Sequence, residues 1–339
     1  IAIDLSRPEG RELAVALVTA PGENAGIFLT NFPADGFLSH ERLAARRPDL
    51  ISVRVMGWPD GTTAVDYTVN CAIGLPAMTG PLDSPEPVNH VLPAWDLLAG
   101  ATAAYALLAA ERHRRATGKG QEVRVPLGDV AMATLGHLGQ IAEVTASDAD
   151  RPRMGNELFG AFGRDFLTRD GKRVMIVAIT PRQWTGLLKA LDLAEAVAAL
   201  EAELGVSFGR DEGVRFVHRH RLFPLVEAAV ARFDRAELAL RLDANDVCWG
   251  PYRTLHEALQ EDPRLSPANP VFAMIDHPSG ASYPTPGSAA TFTGSARGEP
   301  RRAPRLGEHT DEVLASVLGL PDHEIGRLHD LGVVAGPKP

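Results

Sequence analysis

One carboxylate in the sequence stands where acyl-transfer chemistry could use it. Asp96 follows Pro93-Ala94-Trp95 and begins a long apolar stretch that runs toward Thr117, so we predict that it lies at or beside the N-cap of a helix. The amides and the dipole of a helix N-terminus favour an ionised carboxylate and orient its oxygens. A half-buried carboxylate in such a place can act as a nucleophile in covalent catalysis. From the pattern alone, however, simple helix capping is the commoner role of such an aspartate.

Other chemical signatures lack the spacing that their chemistry needs. Gly118-Lys119-Gly120 comes nearest to a phosphate-binding loop, but it follows a predicted helix, whereas dinucleotide sites and P-loops need strand–loop–helix order. The 11 histidines show no metal-ligand spacing, and His218 and His220 fit the exposed face of a basic helix. We therefore expect neither a metal nor a tightly bound cofactor.

Composition argues against several classes of protein. The 339 residues are 45% hydrophobic, which is enough for a sizeable core, and the formal net charge of -9 argues against nucleic-acid or anionic-membrane partners. The longest apolar run, Leu97–Ala110, is too short to span a bilayer, and no signal peptide is visible. Cys71 and Cys248 form neither a disulfide framework nor a zinc motif, so we expect a reducing, cytoplasmic location.

The first 150 residues alternate predicted strands and helices. Strands are predicted over 25–30, 50–55 and 121–125, with helices between them, an order typical of a parallel sheet with helices on its faces. The chain opens on the alternating strand pattern Ile1–Leu5, which is typical of the inside of a domain, so we expect further sequence to precede it. The apolar helix over 96–117 is expected to lie inside the domain.

The pattern changes from about residue 151. Predicted strands over 159–168 and 174–179 flank Arg169-Asp170-Gly171, a strong hairpin signal. Helices are also predicted over 129–144 and 211–233, and residues 57–93 are predicted to be rich in loops. The fold class is therefore α/β. We expect a Rossmann-like parallel-sheet domain over 1–150, a smaller α+β domain over 151–290, and C-terminal helices over 291–339 that return to the large domain.

Three blocks of sequence occur together, in this order, in one enzyme family. The first is Leu29-Thr30-Asn31-Phe32 at the end of a predicted strand. The second begins with Trp95-Asp96-Leu97-Leu98-Ala99-Gly100 and closes with Thr117-Gly118-Lys119-Gly120-Gln121. The third is the tail from Pro304-Arg305-Leu306-Gly307-Glu308 to Glu324-Ile325. Together they resemble the class III CoA-transferase family over nearly the whole chain.

The resemblance implies a mechanism and a site. In that family the aspartate at the position of Asp96 attacks an acyl-CoA to give a mixed anhydride, and the CoA thiolate then forms an aspartyl-CoA thioester. Coenzyme A is thus part of the substrate and not a bound cofactor. The family's first βα unit, which also contacts CoA, has no match here. The resemblance also implies an interlocked homodimer in which each chain threads a ring formed by the other. The residues implied to line the CoA site are Asn31, Phe32, Val55, Met56 and Gly57.

The family also contains α-methylacyl-CoA racemases, which the sequence favours less. They use a His-Asp pair shortly before a Thr-Gly motif, and the histidine acts as a base at the α-carbon. Counted back from Thr79-Gly80, that pair falls on Val65-Asp66, and valine cannot transfer a proton. Asp66 remains as either a structural or a catalytic carboxylate.

The substrate is suggested by two further segments. Asn89–Asp96 and Gly160–Phe166 most resemble the branch that moves CoA between C1 and C4 of one dicarboxylate, 2-methylfumaryl-CoA (mesaconyl-CoA). Because this substrate carries its own acceptor carboxylate, the second attack is effectively unimolecular. Arg164 is the candidate cation for the free carboxylate, and its alternative is a surface hairpin arginine paired with Asp165. His90 could donate a hydrogen bond to the substrate or merely close a loop.

Several alternatives stay open at this point. The same aspartate and pocket could serve an intermolecular CoA-transferase between dicarboxylic acids. The chain could also be a non-catalytic CoA-binding module, in which Asp96 only caps its helix, or a structural subunit of a dimer. The expected partners are acyl-CoA and carboxylate small molecules and a second copy of the chain, with no nucleic acid and no membrane.

Overall fold

The computed structural model describes residues 1–33 and 35–337. The first half of the chain contains β1 (Ala2–Ile3), α1 (Pro8–Val18), β2 (Ile27–Thr30), α2 (His40–Arg46), β3 (Ile51–Met56), α3 (Asp66–Ala72), α4 (Leu75–Met78), α5 (Ala94–Thr117), β4 (Gln121–Pro126), α6 (Leu127–His137) and α7 (Gln140–Ser147). The second half contains β5 (Phe162–Leu167), β6 (Arg173–Ala178), α8 (Pro181–Leu191), α9 (Ala194–Leu204), α10 (Glu212–Val217), α11 (Arg219–Val230), α12 (Arg235–Asp243), β7 (Cys248–Pro251), α13 (Leu255–Glu261), a 3-10 turn (Pro263–Leu265), β8 (Phe272–Asp276), β9 (Ser282–Pro286), α14 (Thr310–Leu318), α15 (Asp322–Asp330) and β10 (Val334–Ala335).

The chain divides into two compact units, each built from more than one segment. Unit 1 comprises Ile1–Pro76, Asn89–Arg151 and the residues from Pro270 onward, and unit 2 comprises Ala77–Val88 and Pro152–Asn269. The grouping therefore differs from the predicted domain boundaries at 150 and 290. Residues 270–290, which the sequence assigned to the smaller domain, group with unit 1.

A parallel sheet lies at the centre of unit 1. Its strand order is β2-β3-β4, and both pairings are parallel, as the strand–helix alternation predicts. The middle strand, β3, is buried from Ile51 through Arg54, because it has a strand on each side and α5 packs against it. Ile51 and Val53 join Trp95, Ala99 and other α5 residues in one apolar core. The predicted α/β class with a parallel sheet is confirmed.

The opening strand does not belong to this sheet. β1 pairs antiparallel with β10, so that Ala2 lies opposite Ala335 and Ile3 opposite Val334. Thr310, the first residue of α14, reinforces this pairing, because its hydroxyl accepts from the Ala2 amide at 3.0 Å and donates to the Ala335 carbonyl at 2.8 Å. The opening strand therefore lies in a two-stranded sheet of its own with β10, separate from β2, β3 and β4.

Unit 2 is built on an antiparallel sheet. β5, β6 and β7 follow that order in space, and the hairpin predicted at Arg169-Asp170-Gly171 joins the first two. Gly171 has a φ of 71°, which glycine adopts without steric cost and which the turn requires. The core of this unit contains the aromatic residues Phe162, Phe166, Trp184, Phe208 and Phe223.

Several predicted helices have different bounds in the structure. The predicted loop region 57–93 contains α3 and α4. The helix predicted over 129–144 is two helices, because Gly139 adopts a left-handed φ of 74° between them. The helix predicted over 211–233 is likewise interrupted, at His218. The apolar pattern continues across both interruptions, so it predicted one long helix where a local turn divides the chain into two.

Helix α5 is buried along one face only. Trp95, Ala99, Ala103 and Ala110 face the core, whereas the opposite side leaves large apolar side chains exposed. The exposed residues on this helix are Leu97, Leu98, Tyr105 and Leu108. The expectation that an apolar helix lies wholly inside the domain is wrong for the single chain.

Residues 1–33 and 35–337 lack two kinds of feature, a membrane-spanning helix and a cluster of metal ligands. No helix in this part of the chain has the length and apolar character to cross a membrane. The same residues contain no group of three or more His, Cys, Asp or Glu side chains that could hold a metal ion.

Candidate active site

A cavity of about 1120 Å³ in unit 1 is lined by the candidate nucleophile and the predicted CoA-binding residues, but not by Asp66, His90 or Arg164. It opens where the carboxyl ends of β2 and β3 meet the first turn of α5. Ligands of parallel α/β sheets bind outside the carboxyl ends of the strands, so the position is typical of the fold. Residues named from the sequence that line it are Asn31, Phe32, Val55, Met56, Gly57 and Asp96.

Asp96 does not cap its helix. The helix begins at Ala94, its N-cap is Pro93, and Asp96 is the third residue of the first turn. Its side chain is exposed and not half-buried, and within the described residues no hydrogen bond or ion pair engages its carboxylate. The sequence predicts a position at or beside the N-cap, whereas the structure places Asp96 three residues after the N-cap, Pro93. The first-turn position still lies in the positive field of the helix dipole, which favours an anion.

The capping carboxylate of α5 is Asp66, the first residue of α3. Its Oδ2 accepts hydrogen bonds from the amides of Trp95 at 2.7 Å and Asp96 at 3.3 Å. Its Oδ1 lies 2.5 Å from His90 Nε2. Asp66 is only 1% exposed. It therefore contacts the backbone of the candidate nucleophile, and its burial leaves little of its surface for direct contact with a substrate.

His90 lies beside α3 and α5 within unit 1. Its imidazole ring is packed edge-on against Tyr67, with ring centroids 5.7 Å apart, and tilted toward Trp95 at 6.4 Å. The side chain is 23% exposed, so one edge of the ring can still be reached by a ligand. The structure thus places two of the tentative substrate residues, Asp66 and His90, in direct contact.

Gly57 is required by the close approach of two backbone segments. A β-carbon there would lie 2.4 Å from the Ala64 nitrogen and 2.7 Å from the Thr62 carbonyl oxygen, far inside contact distance. The turn after β3 folds back at this point, because the Trp58 amide donates to the Thr62 carbonyl at 3.1 Å. Gly57 therefore allows this turn to form one wall of the cavity.

Arg54 fixes another wall, and the sequence analysis did not single it out. It is 1% exposed, although it carries a charge on the central strand of the sheet. Its guanidinium donates to the carbonyls of Phe32, Pro33 (2.8 Å) and Leu38 (3.2 Å), and its Nε lies 3.3 Å from Glu122. A signal was present, since Arg54 is the one charged residue of β3.

Charge around the cavity is mixed. Arg42, Arg54 and Arg124 line it together with several carboxylates, among them Glu122. Burial raises the pKa of Glu122, but the hydrogen bonds and charges of Arg124 and Arg54 outweigh that effect, so its pKa lies below the ordinary value. Glu122 therefore stays ionised and holds both arginines in place.

Arg164 belongs to unit 2 and has its own set of contacts there. Its charged end lies over the rings of Phe166 (5.1 Å) and Phe223 (4.9 Å), and it forms a 3.7 Å ion pair with Glu227. Its Nε donates to the main-chain carbonyl of Asp165, whereas the Asp165 carboxylate pairs with Arg173. The surface pair between the Arg164 and Asp165 side chains, the alternative from the sequence, is not formed.

Comparison with known proteins adds a family and relatives. A family model described as CoA-transferase family III matches residues 1–310. The chain is 54% identical over 337 residues to a 2-methylfumaryl-CoA isomerase of Chloroflexus aurantiacus, an alignment that covers 99% of this chain and 82% of that protein. It is 26% identical over 365 residues to a formyl-CoA:oxalate CoA-transferase of Rhodopseudomonas palustris, covering 100% of this chain and 83% of the relative.

Solved structures resemble the chain as well. A CAIB/BAIF family protein from Brucella suis superposes with a TM-score of 0.72 at 24% identity, and the match covers 93% of this chain and 80% of that one. At this level of identity the likeness concerns the fold.

Proposed function

The chain belongs to CoA-transferase family III, and from that premise we propose that it moves CoA between the C1 and C4 carboxyl groups of 2-methylfumaryl-CoA. The observation that carries the proposal is the exposed carboxylate of Asp96, which has no hydrogen-bond or ion-pair partner among residues 1–33 and 35–337 and borders the same cavity as the predicted CoA-binding residues. The relative that is 54% identical bears the name of this reaction.

The proposed chemistry uses Asp96 twice as a covalent carrier. An Asp96 oxygen attacks the C1 thioester carbonyl, the CoA thiolate leaves, and a mixed anhydride forms. The thiolate then attacks the Asp96 carbonyl, which gives an aspartyl-CoA thioester and frees the C1 carboxylate. The C4 carboxylate attacks this thioester and expels the thiolate. The thiolate finally attacks the C4 carbonyl of the new anhydride, so that C4-CoA leaves and Asp96 is restored.

Binding of CoA is proposed for the residues at the two strand ends. Asn31 and Phe32 follow β2, Val55 and Met56 close β3, and Gly57 follows β3. All of them border the cavity, whose volume slightly exceeds the roughly 300–1,000 Å³ of common small-molecule pockets. Phe32 is 49% exposed, which is unusual for a large aromatic residue and suits a face that a ligand covers.

The free carboxylate of the substrate needs a cation or a hydrogen-bond donor. Arg164 and His90 are the proposed partners. Arg164 keeps a partly exposed guanidinium, and His90 has an accessible ring edge. For Asp66, the tentative substrate role is replaced by a role through hydrogen bonds, because its carboxylate is buried.

A homodimer is proposed on the strength of α5. Leu97, Tyr105 and Leu108 are exposed by 56%, 64% and 65%, and an apolar helix face of this kind is typical of a surface that another chain covers. An interlocked arrangement and a cytoplasmic location are carried over from the sequence analysis as part of the proposal. Cys71 and Cys248 are both exposed and form no disulfide with each other, which suits that proposed location.

One assay tests the reaction and separates it from its alternatives. The enzyme is incubated with 2-methylfumaryl-C1-CoA in the presence of isotopically labelled free 2-methylfumarate, and the products are resolved by liquid chromatography and mass spectrometry. The proposal expects the C4 isomer with no label in it. Label in the CoA ester would indicate intermolecular transfer, and no isomer at all would refute the proposed reaction.

One contact in the structure supports the alternative racemase reaction, namely a His-Asp pair formed by His90 and Asp66. Val65 occupies the sequence position of the racemase base, but the structure brings His90 to Asp66 from elsewhere in the chain. We still expect no exchange of the α-hydrogen of a 2-methylacyl-CoA in deuterated water. Rapid deuterium uptake that is lost in His90→Gln would favour the racemase.

A further inference from the structure

Asp66 is a buried carboxylate that no step of the proposed reaction uses. Three groups converge on it: the amides of Trp95 and Asp96 at Oδ2, and the Nε2 of His90 at Oδ1. It is 1% exposed, so water does not compete for these contacts. Hydrogen bonds to an ionised acceptor are stronger than neutral ones, and burial strengthens them further.

The first contact replaces a missing cap. A helix leaves its first amides without partners, and an N-cap side chain usually satisfies one of them. Pro93, the N-cap of α5, makes no such bond. Asp66 supplies the acceptor from α3, and Asn70 of the same helix accepts from the Trp95 ring nitrogen at 3.1 Å. The first turn of α5 is thus held to α3 at two points, directly beside Asp96.

The second contact, between Asp66 Oδ1 and His90 Nε2, determines which ring nitrogen of His90 can bind another group. An ionised carboxylate can only accept, so the hydrogen of the ring must lie on Nε2. Within the described residues, Nδ1 makes no hydrogen bond, and the ring is 23% exposed. A protonated ring therefore offers Nδ1–H to an acceptor, and a neutral ring offers the Nδ1 lone pair.

We propose that Asp66 is a positioning residue for the reaction, which fixes the backbone of Asp96 and the orientation of the His90 ring through one buried carboxylate. The inference rests on the proposed function, in which Asp96 is the nucleophile. Its physical basis is that covalent attack needs reacting atoms about 3–3.5 Å apart, and a misplacement of about 1 Å can cost a hundredfold in rate. Asp66 acts through Asp96 and His90 and does not touch the substrate.

The test compares Asp66→Ala, Asp66→Asn and His90→Gln with the control Asp311→Ala. Asp311 also pairs with a histidine, His329, at 2.7 Å, but on helices outside the cavity. Three quantities are measured: kcat on 2-methylfumaryl-CoA, the dissociation constant for free CoA, and the rate at which acyl-CoA labels Asp96, followed by mass spectrometry. CoA binding separates a positioning role from a general loss of structure.

Asp66→Ala should lower kcat and the labelling rate by about a hundredfold and change CoA affinity less than twofold. Asp66→Asn keeps an acceptor for the two amides, so it should lose only about tenfold. Asp311→Ala should match the wild type. Wild-type kcat in Asp66→Ala, or a loss of CoA affinity as large as the loss of rate, would overturn the proposal.

The double variant Asp66→Asn/His90→Gln tests the coupling and does not depend on Asp66→Ala being folded. Because His90 is held by Asp66, the double variant should be no slower than the slower single variant, whereas independent effects would multiply. Multiplied losses would overturn the shared role. If wild-type enzyme labels Asp96 but makes no C4 isomer, the proposed reaction fails, and Asp66 is still judged by the labelling rates.

Discussion

Asp96 and Asp129 occupy the same place in two different helices. Each is the third residue of its helix, and each is exposed. Local structure therefore gives both carboxylates the same helix dipole and the same access to water. What distinguishes Asp96 is its surroundings, since it borders the cavity and its helix is capped by Asp66. At the scale of one residue, reactivity depends on neighbours that come from other elements.

Asp96→Asn is expected to abolish turnover without unfolding the protein. Its side chain makes no hydrogen bond within the described residues, so the change in unfolding free energy should stay within about 0.5 kcal/mol. Loss of a covalent nucleophile should lower kcat by about a thousandfold or more. Steady-state kinetics measure kcat, and thermal unfolding measures the change in stability. Asp129→Asn is the matched control and should behave as wild type. Turnover near the wild-type rate in Asp96→Asn would contradict the mechanism.

Arg164→Gln tests the proposed contact with the free carboxylate. A charge-assisted hydrogen bond is worth roughly 1.5–3 kcal/mol, so kcat/KM on a dicarboxyl-CoA should fall about ten- to a hundredfold. A monocarboxyl-CoA of similar size should be affected much less. Equal losses on both substrates would instead assign Arg164 to the packing of Phe166 and Phe223, which its guanidinium covers.

Sequence alone could name the cavity residues that lie within local motifs. Asn31, Phe32 and Asp96 stand in short motifs that resemble those of the CoA-transferase family, and this resemblance, not the strand and helix pattern, marked them as site residues. Asp66 and His90 are 24 residues apart, and only the packing of α3 against α5 makes them partners. The three carbonyls held by Arg54 likewise come from a loop whose path no periodic pattern fixes. Contacts of this kind depend on tertiary structure, which the sequence pattern does not encode locally.

The motif residues at the end of α5 also have structural explanations. Gly118 ends the helix with a φ of 72°, a conformation that side chains with a β-carbon rarely adopt. A β-carbon at Gly120 would lie 2.0 Å from the Leu50 carbonyl oxygen. Arg114 is buried and donates to the carbonyls of Ala25 and Gly26. At the scale of the element, these residues join α5 to the sheet, and none of the three lines the cavity.

Arg54→Met should loosen the wall formed by the loop after β2. The change removes donors from three carbonyls and one partner from Glu122, and breaking a buried charge pair costs roughly 3–5 kcal/mol. Thermal stability should fall, and KM for the CoA substrate should rise more than kcat falls. Arg54→Lys keeps the charge but cannot reach all the carbonyls, so it should be intermediate. A lowered kcat with unchanged KM would contradict this role.

Across the whole molecule, the proposed functions are divided between the two compact units. The candidate nucleophile and the predicted CoA residues lie in unit 1, whereas Arg164 lies in unit 2. Unit 1 also contains the C-terminal segment, in which Leu314, Ile325 and Leu328 pack with Leu13 of α1. The stability of unit 1 therefore depends on residues far from the cavity.

Glu308, just before α14, should make the stability of unit 1 depend on pH. The Arg302 guanidinium and the Arg305 amide hold the pKa of Glu308 at about 2, below its ordinary 4.5. Because the folded state depresses this pKa, the stabilisation is fully present above pH 4.5 and is lost as pH falls toward 2. Glu308→Gln should lower Tm at neutral pH, and the difference should vanish on acidification. Glu312→Gln is the control, and a Tm difference independent of pH would contradict the assignment.

The pairing of β1 with β10 also sets an order of assembly during synthesis. Ala2 and its partner Ala335 are separated by more than 300 residues, so this edge of unit 1 cannot form until Ala335 has been synthesised. The main segment of unit 2, Pro152–Asn269, is complete before then. Contacts between residues so distant in sequence form slowly, because the entropy cost of closing the long loop comes before any stabilisation by the contact. Part of the apolar surface of unit 1, including Leu13, therefore stays uncovered until after the main segment of unit 2 has been synthesised.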